Sequence, residues 1–234
     1  MPAPLSIIIP SLNAQKDLPV CLEALMAGLE AGLIREVILV DGGSTDQTRA
    51  IADAAGAVIL DSSCGRGCQL KAGGEAARGD WLLFLHADTV LTPDWVERAL
   101  AHMQNSPAKA AAFTLAFRSD ARRARWLAGR ANWRAHTLGL PYGDQGLLIS
   151  RELYDEIGGY EDIPLMEDVS IIRRVGKKRL SILSAEARTS GEKYERDGWR
   201  RRAWRNVFLV VRYFLGADPA KLAIAYDRER PNRR

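Results

Sequence analysis

The chain has 234 residues, 33 Lys and Arg against 29 Asp and Glu, a net charge of +4, and 47% hydrophobic with 26% charged side chains. These are globular values that exclude a disordered chain, a collagen and a disulfide scaffold, and the length lets about 70% of the unfolded chain's surface be buried. The three cysteines, Cys21, Cys64 and Cys68, form no CxxC pair, so reduced thiols in a cytoplasmic protein are expected.

Residues 1–11 hold three prolines and no basic side chain, which does not read as a signal peptide. Residues 5–9, 36–40, 57–60 and 81–85 each read as a buried strand, being short, bulky or β-branched, and bounded by Pro, Gly or Asp. Helix-length segments alternate with them. Residues 17–31 carry Leu18, Cys21, Leu22, Leu25 and Leu29 at helical spacing, and Ser44-Thr45-Asp46-Gln47 reads as a capping box opening a helix towards Ala55. Residues 65–77 and 93–103 are two further helices. The alternation predicts an α/β fold with a parallel sheet, and ligands in such sheets bind beyond the carboxyl ends of the strands. Three of the four strands end there in a carboxylate: Asp41, Asp61 and Asp88.

Beyond residue 105 the pattern predicts a strand over 110–117, a helix over 122–138, a glycine-rich loop over 139–146, a short apolar run at 147–149 and a helix starting within 165–170. No repeat or linker is visible, so a single domain over 1–234 is expected, with a basic helical tail over 186–234. That tail holds 13 basic and 7 acidic side chains, +6 against −2 for the first 185 residues. It reads as a solvated face or as a contact with something anionic, a phospholipid surface or a phosphorylated substrate; a nucleic-acid partner is not expected, because no known module and no basic patch interleaved with exposed aromatics is found. No run reaches the ~18 apolar residues of a membrane span. On a helical wheel of 199–215, Trp199, Ala203, Val207, Val210 and Phe214 share one face, and Arg201, Arg205 and Arg212 share the other with Phe208 and Leu215. Two readings fit: a helix lying on anionic lipid, or a core-packing helix with a solvated arginine edge.

Three constellations carry chemistry. His86-Ala87-Asp88, at a strand's carboxyl end, puts an imidazole and a carboxylate on one face, a donor set suited to Mn²⁺ or Mg²⁺ bridged to phosphates; the plainer reading is an aspartate capping the next helix. Cys64-Gly65-Arg66-Gly67-Cys68-Gln69-Leu70-Lys71 puts glycines, Arg66 and Lys71 at a helix start, where backbone N–H groups favour a diphosphate, although it is neither GxGxxG nor a P-loop. Glu167-Asp168 opens a helix, either as acids complementing its dipole or as a general base in a cleft.

Together these segments resemble a family 2 glycosyltransferase of GT-A fold. The likeness is carried by Leu5-Ser6-Ile7-Ile8-Ile9-Pro10-Ser11-Leu12-Asn13, by the run from Val37 through Asp41-Gly42-Gly43-Ser44 to Thr48, by Gly79-Asp80 through Leu85-His86-Ala87-Asp88, and by Gly158-Gly159-Tyr160 before Glu167-Asp168, in order over residues 5–175. The Tyr142-Gly143-Asp144-Gln145-Gly146 loop and the basic tail resemble a small bacterial branch associated with arsenosugar biosynthesis. The resemblance implies a mixed sheet flanked by helices with C-terminal amphipathic helices, a nucleotide-binding half over 1–105 and an acceptor or catalytic half over 106–185. It implies that Pro10, Ser11, Asn13, Asp41, Arg66, Lys71 and Ala87 serve the nucleotide-sugar donor, and that Asp88, with His86, holds a divalent metal. Tyr142, Asp144, Gln145 and Gly146 then lie towards an acceptor whose identity is open. Asp168 matches the catalytic base of inverting members, with Glu167 beside it.

The sequence departs from that family in three places. His86 replaces the first acid of the DxD element, Ala14 follows Asn13 where many members have Glu, and the Gln-x-x-Arg-Trp signature of processive synthases is missing. Transfer of a single sugar is therefore expected rather than polymerisation. The alternatives are a catalytically degraded nucleotide-sugar-binding module on a membrane surface, which His86 favours, and a sugar-phosphate nucleotidyltransferase, whose glycine-rich loop after the first strand is lacking. The expected location is cytoplasmic, with membrane association through 199–215.

Overall fold

The computed structural model describes residues 3–62 and 65–228. Leu5–Ser11 forms β1, where Ile7, Ile8 and Ile9 present stiff β-branched side chains to both faces of a sheet, and all seven residues are buried. Leu18–Glu30 (α1), Ile34–Asp41 (β2), Thr48–Ala54 (α2), Val58–Asp61 (β3), Arg66–Ala76 (α3) and Trp81–Phe84 (β4) continue the expected alternation. Then follow Thr89–Leu91 (β5), Trp95–Asn105 (α4), Ala110–Phe117 (β6), Arg122–Leu138 (α5), Leu147–Ser150 (β7), Arg151–Glu156 (α6), Glu167–Val175 (α7), Leu180–Thr189 (β8), Glu192–Asp197 (α8), Trp199–Phe214 (α9) and Pro219–Arg228 (α10).

The strands make one eight-stranded sheet in the order β3-β2-β1-β4-β7-β6-β8-β5. The β3-β2-β1-β4 half is parallel, as the alternation predicts. Beyond it β7 runs antiparallel to β4 and β6, while β8 runs parallel to β6 and antiparallel to β5, so the sheet is mixed. This is the mixed sheet flanked by helices that the resemblance implied.

Alternation along β1 splits the core into two layers. Leu5, Ile7 and Ile9 pack with Leu18, Cys21 and Leu25 of α1 and Trp95 of α4, whereas Ile8 packs with Leu70 of α3, Phe84 and Ile171 of α7. Close approach is enforced where glycine faces a ring: a Cβ on Gly28 would sit 2.6 Å from a Trp95 ring carbon, and the indole N–H donates to the Ala24 carbonyl at 3.1 Å. These layers clamp the parallel strands so that their carboxyl ends open on one side.

Glu36 ties this half of the sheet to the connection between α3 and β4. Its carboxylate accepts the Ser6 hydroxyl and the Arg78 backbone N–H, both at 2.7 Å, and the Arg78 guanidinium at 2.9 and 3.1 Å. Burial opposes the charge, but Ser6 and Arg78 outweigh it and hold the carboxyl below its ordinary range. A depressed folded-state value stabilises the fold above the unfolded value and is lost as pH falls through the folded one. Glu36→Gln is therefore expected to cost about 1–3 kcal/mol at neutral pH, with the gap to the parent closing below about pH 4, read by denaturant titration across pH.

Two local expectations are revised. The capping box at Ser44 does not form, because the buried Asp41 carboxylate takes the Ser44 hydroxyl at 2.5 Å and its N–H at 3.0 Å, and α2 starts only at Thr48. Cys21 is free and buried, but Cys68 is disulfide-bonded, against the expectation of reduced thiols. Cys64, like residues 229–234 of the tail, lies outside the described residues.

Candidate active site

The ends of β1 and β2 lie side by side, Ser11 paired with Asp41. Asp41 is almost wholly buried and also receives Arg49 at 3.3 Å; burial opposes its charge, yet Ser44 and Arg49 keep its carboxyl below the ordinary range. Asn13 completes the loop. Its N–H donates to the Ser44 hydroxyl and its side-chain oxygen accepts the Thr45 N–H, each at 2.9 Å. Gln69 of α3 reaches across both strands, its amide donating to the Ser11 carbonyl at 2.8 Å and the Val40 carbonyl at 2.9 Å. Pro10 and Ser11 are buried at this strand end, and the Ser11 hydroxyl has no partner.

At the end of β4, Ala87 is packed into the core, while His86 and Asp88 are half-buried and lie outside the apolar clusters. Asp88 does not cap α4, because β5 intervenes. Its carboxylate instead meets the Thr189 hydroxyl and the Lys193 ammonium of α8, both at 3.5 Å. Burial disfavours the charge, and His86, Lys193 and Arg66 outweigh it, so the carboxyl titrates low. Burial and the Arg66 guanidinium push the His86 ring down to about 4, leaving a neutral imidazole with a lone pair to give at pH 7.

Opposite them stands α7. Its Asp168 carboxylate accepts the Gly143 N–H at 2.9 Å and the Val169 N–H at 2.8 Å. Glu167 is buried and faces Arg66 of α3 at 3.5 Å; burial lifts its carboxyl to about 7, Arg66 pulling against and Asp168 adding to the rise. Gly143 is where the loop meets the strand, since a Cβ there would stand 2.7 Å from His86 Nε2 and 3.5 Å from Asp168 Oδ2. His86, Gly143, Tyr160, Glu167 and Asp168 thus line one small cavity, floored by Leu70 and Phe84. Among the described residues, Asn13 and Met166 are the non-glycine residues with positive φ, 52° and 69°, and both flank this site. Such strain concentrates where surrounding contacts hold a functional geometry.

The residues expected on the acceptor side separate into two kinds. Gln145 is fully buried and its amide donates to the Phe113 carbonyl at 2.9 Å, anchoring the loop beside the buried Gly146. Tyr142 lies under the Arg134 guanidinium, 3.6 Å from its ring centre. Asp144 has a buried oxygen without a hydrogen-bond partner, and burial lifts its carboxyl to about 6, with Arg134 opposing and Asp168 and Asp88 adding. Lys71 is exposed on α3, and among the described residues no ion pair or hydrogen bond joins it to this cluster.

Arg49, Gln69, Arg134 and Lys193 contact the candidate site residues, and sequence reasoning did not single them out. Arg49 had a faint signal, being the basic residue nearest Asp41 in the following helix. Lys193 had none, because its approach to Asp88 depends on β8 returning beside β5.

Residues 6–161, about two thirds of the chain, match the family model for glycosyl transferase family 2. An undecaprenyl-phosphate 4-deoxy-4-formamido-L-arabinose transferase of Pseudomonas aeruginosa is 35% identical over 102 residues, 40% of this chain and 30% of that protein. A PGL/p-HBAD biosynthesis glycosyltransferase of Mycobacterium tuberculosis is 41% identical over 99 residues, 39% of this chain and 38% of its own length. The likeness thus spans about a third of each relative. Among solved structures, S. aureus TarS 1–349 superposes with a TM-score of 0.61 at 19% identity, covering 79% of this chain and 60% of that one. Glucosyl-3-phosphoglycerate synthase from Mycobacterium tuberculosis, in complex with Mn²⁺, uridine diphosphate and glucosyl-3-phosphoglycerate, superposes with a TM-score of 0.59 at 20% identity, covering 87% and 78%. With a GT-A fold and a family match running from β1 through the His86–Asp88 strand end to Glu161, the chain belongs to glycosyl transferase family 2.

Proposed function

We propose that this protein is an inverting glycosyltransferase that moves one sugar from a nucleoside-diphosphate sugar to an acceptor hydroxyl. The observation that carries the reading is Asp168, held at 2.9 Å by the Gly143 N–H in the cavity it shares with His86, at the end of the strand where the family places its donor. In this reading Asp168 takes the acceptor's proton as that oxygen attacks the anomeric carbon, and a single displacement inverts the centre without a covalent nucleophile. Asp41, with Asn13, Ser11 and Pro10, shapes the nucleotide end. Arg66 and Lys193 supply positive charge towards the diphosphate, and Lys71 falls outside that group. The smaller arsenosugar-associated branch rests on the Tyr142–Gly146 loop and the basic tail alone.

The family implies a divalent cation, and the donor set fits one held jointly with the substrate. His86 is neutral and Asp88 ionised, and among the described residues no third His, Cys, Asp or Glu joins them in a cluster. Mg²⁺ and similar ions keep waters and take phosphate oxygens, so two protein donors are enough. Such an ion, bound by Asp88 and His86, would offset charge building on the leaving diphosphate.

The test is thermal shift with uridine, guanosine, cytidine and thymidine diphosphates, each with and without Mn²⁺. A shift from one nucleotide, enlarged by Mn²⁺ and losing that enlargement in Asp88→Ala, is expected, since a ligand at 100 times its Kd stabilises by about 2.7 kcal/mol. Silence across the panel would overturn donor binding. A shift indifferent to Mn²⁺ would remove the metal from the reading.

A further inference from the structure

The outer face of α9 is apolar where a surface helix is ordinarily polar. Trp204, Phe208, Val211 and Leu215 recur at helical spacing and are 72%, 61%, 48% and 82% exposed. The helix is nonetheless seated. On its inner side Leu209 packs with Met166 and Val169, the residues flanking Glu167 and Asp168, and with Leu222 of α10. The exposed stripe is the one that carries Arg201 and Arg212, and Val207 and Phe214, read as inward from the wheel, are also half exposed. Beside α9 lies α5, which turns out Trp126 and Trp133, seven residues apart on one side of its helix and 60% and 59% exposed.

The two helices together contain ten arginines and no Asp or Glu. Arg130 lies over the Trp126 ring at 5.2 Å and Arg212 over the Phe208 ring at 5.6 Å, so cation and ring are presented as units. Among the described residues Arg122, Arg123, Arg200 and Arg201 pair with no carboxylate. Exposed apolar area of this kind on a single chain marks an interaction surface, and the charge selects among partners. A second copy docked face to face would set arginines against arginines. The face does interleave arginines with exposed aromatics, contrary to the expectation from the sequence, and a nucleic acid would answer both but leave Val211 and Leu215 without a role. Tryptophan at the headgroup level, aliphatic side chains below it and arginines reaching anionic headgroups satisfy every component.

We infer that the α5–α9 face rests in the surface of an anionic phospholipid bilayer. Because the inner side of α9 packs on Met166 and Val169, which flank Glu167 and Asp168, an acceptor carried in the membrane would approach the Asp168 cavity from the α9 side. Binding to the bilayer does not depend on the proposed transfer, and its test does not read activity.

The full chain is mixed at low salt with vesicles of phosphatidylcholine alone and with vesicles of equal parts phosphatidylcholine and phosphatidylglycerol, and sedimented. Binding is expected to the second and to fall with added salt, with a blue shift of tryptophan emission. Trp204→Ser/Phe208→Ser and, separately, Arg200→Glu/Arg201→Glu should each weaken partitioning about tenfold or more while thermal melting stays at the parent value, since all four side chains are exposed. Asp168→Asn should bind vesicles like the parent. Failure to sediment with the anionic vesicles would overturn the inference. So would a salt-resistant dimer that both double variants dissolve, or tighter binding to single-stranded RNA than to anionic vesicles.

Discussion

Asp168→Asn is expected to lower kcat by about 10²–10⁴-fold, the range that a positioned general base contributes, while the affinity for the donor nucleotide stays at the parent value. The amide oxygen can still accept one of the two backbone N–H groups that hold Asp168, from Gly143 and from Val169, so α7 keeps its start. What it cannot do is take a proton. The donor contacts proposed at Asp41, Asn13 and Asp88 lie on the other side of the cavity and are untouched, which is why binding and turnover should separate. Measured by calorimetry for the nucleoside diphosphate and by initial rates for transfer, an unchanged kcat would remove Asp168 from the chemistry, and a joint loss of both would make it a structural residue of the Gly143 loop. The family match ends at residue 161, so this experiment bears on a part of the chain that the match does not reach.

The parallel half of the fold was legible because each strand is a short run of β-branched or bulky apolar residues bounded by Pro, Gly or Asp, and helix-length segments separate them. In the other half the strand over 110–117 and the apolar run at 147–149 were legible and form β6 and β7, but β5 and β8 were not. β8 runs Leu180–Thr189 with intermediate burial over much of its length, so it has neither a continuous apolar run nor a clean alternation. β5 is three residues long and owes its existence to pairing with β8 across almost a hundred residues. The same distinction governs the site. His86, Asp88, Glu167 and Asp168 stand at element ends and show in the sequence as short motifs. Ser44 was misread as a cap because only the fold reveals the buried Asp41 carboxylate that competes for its hydroxyl. Lys193 and Arg134 come from elements whose neighbours are set by tertiary packing, and no spacing rule points at them. The α9 helix was open between two readings; in the structure one side packs on α7 while the arginine side is itself the apolar one, and the lipid reading is the inference drawn from that face.

Gly67→Ala is expected to destabilise the protein by about 1–3 kcal/mol, and in a chain of this length each kcal/mol lowers the melting temperature by about 2–4 °C. Alanine is the better helix former, by about 1 kcal/mol at most, so propensity alone predicts the opposite sign. The packing decides it. A Cβ on Gly67 would run into the Ile163 carbonyl and stand 2.7 Å from the Glu161 carbonyl and 2.9 Å from the Ile163 nitrogen. All three are backbone atoms, which cannot rotate aside as a side chain would. Either the first turn of α3 or the 161–163 segment must move, and the Arg66–Glu167 ion pair joins that same turn to the start of α7, four residues beyond the segment. The variant should therefore lose affinity for the nucleoside diphosphate together with stability. Gly129 of α5 supplies the control: its Cβ would meet nothing within 4 Å, so Gly129→Ala should raise stability by about 0.5–1 kcal/mol and leave nucleotide binding alone. Opposite signs for the same substitution in two helices would establish that α3 is held against the 161–163 segment by contact, and that this contact sets where Arg66 stands. A stabilising effect at both positions would show that the approach of α3 to that segment is looser than the packing requires.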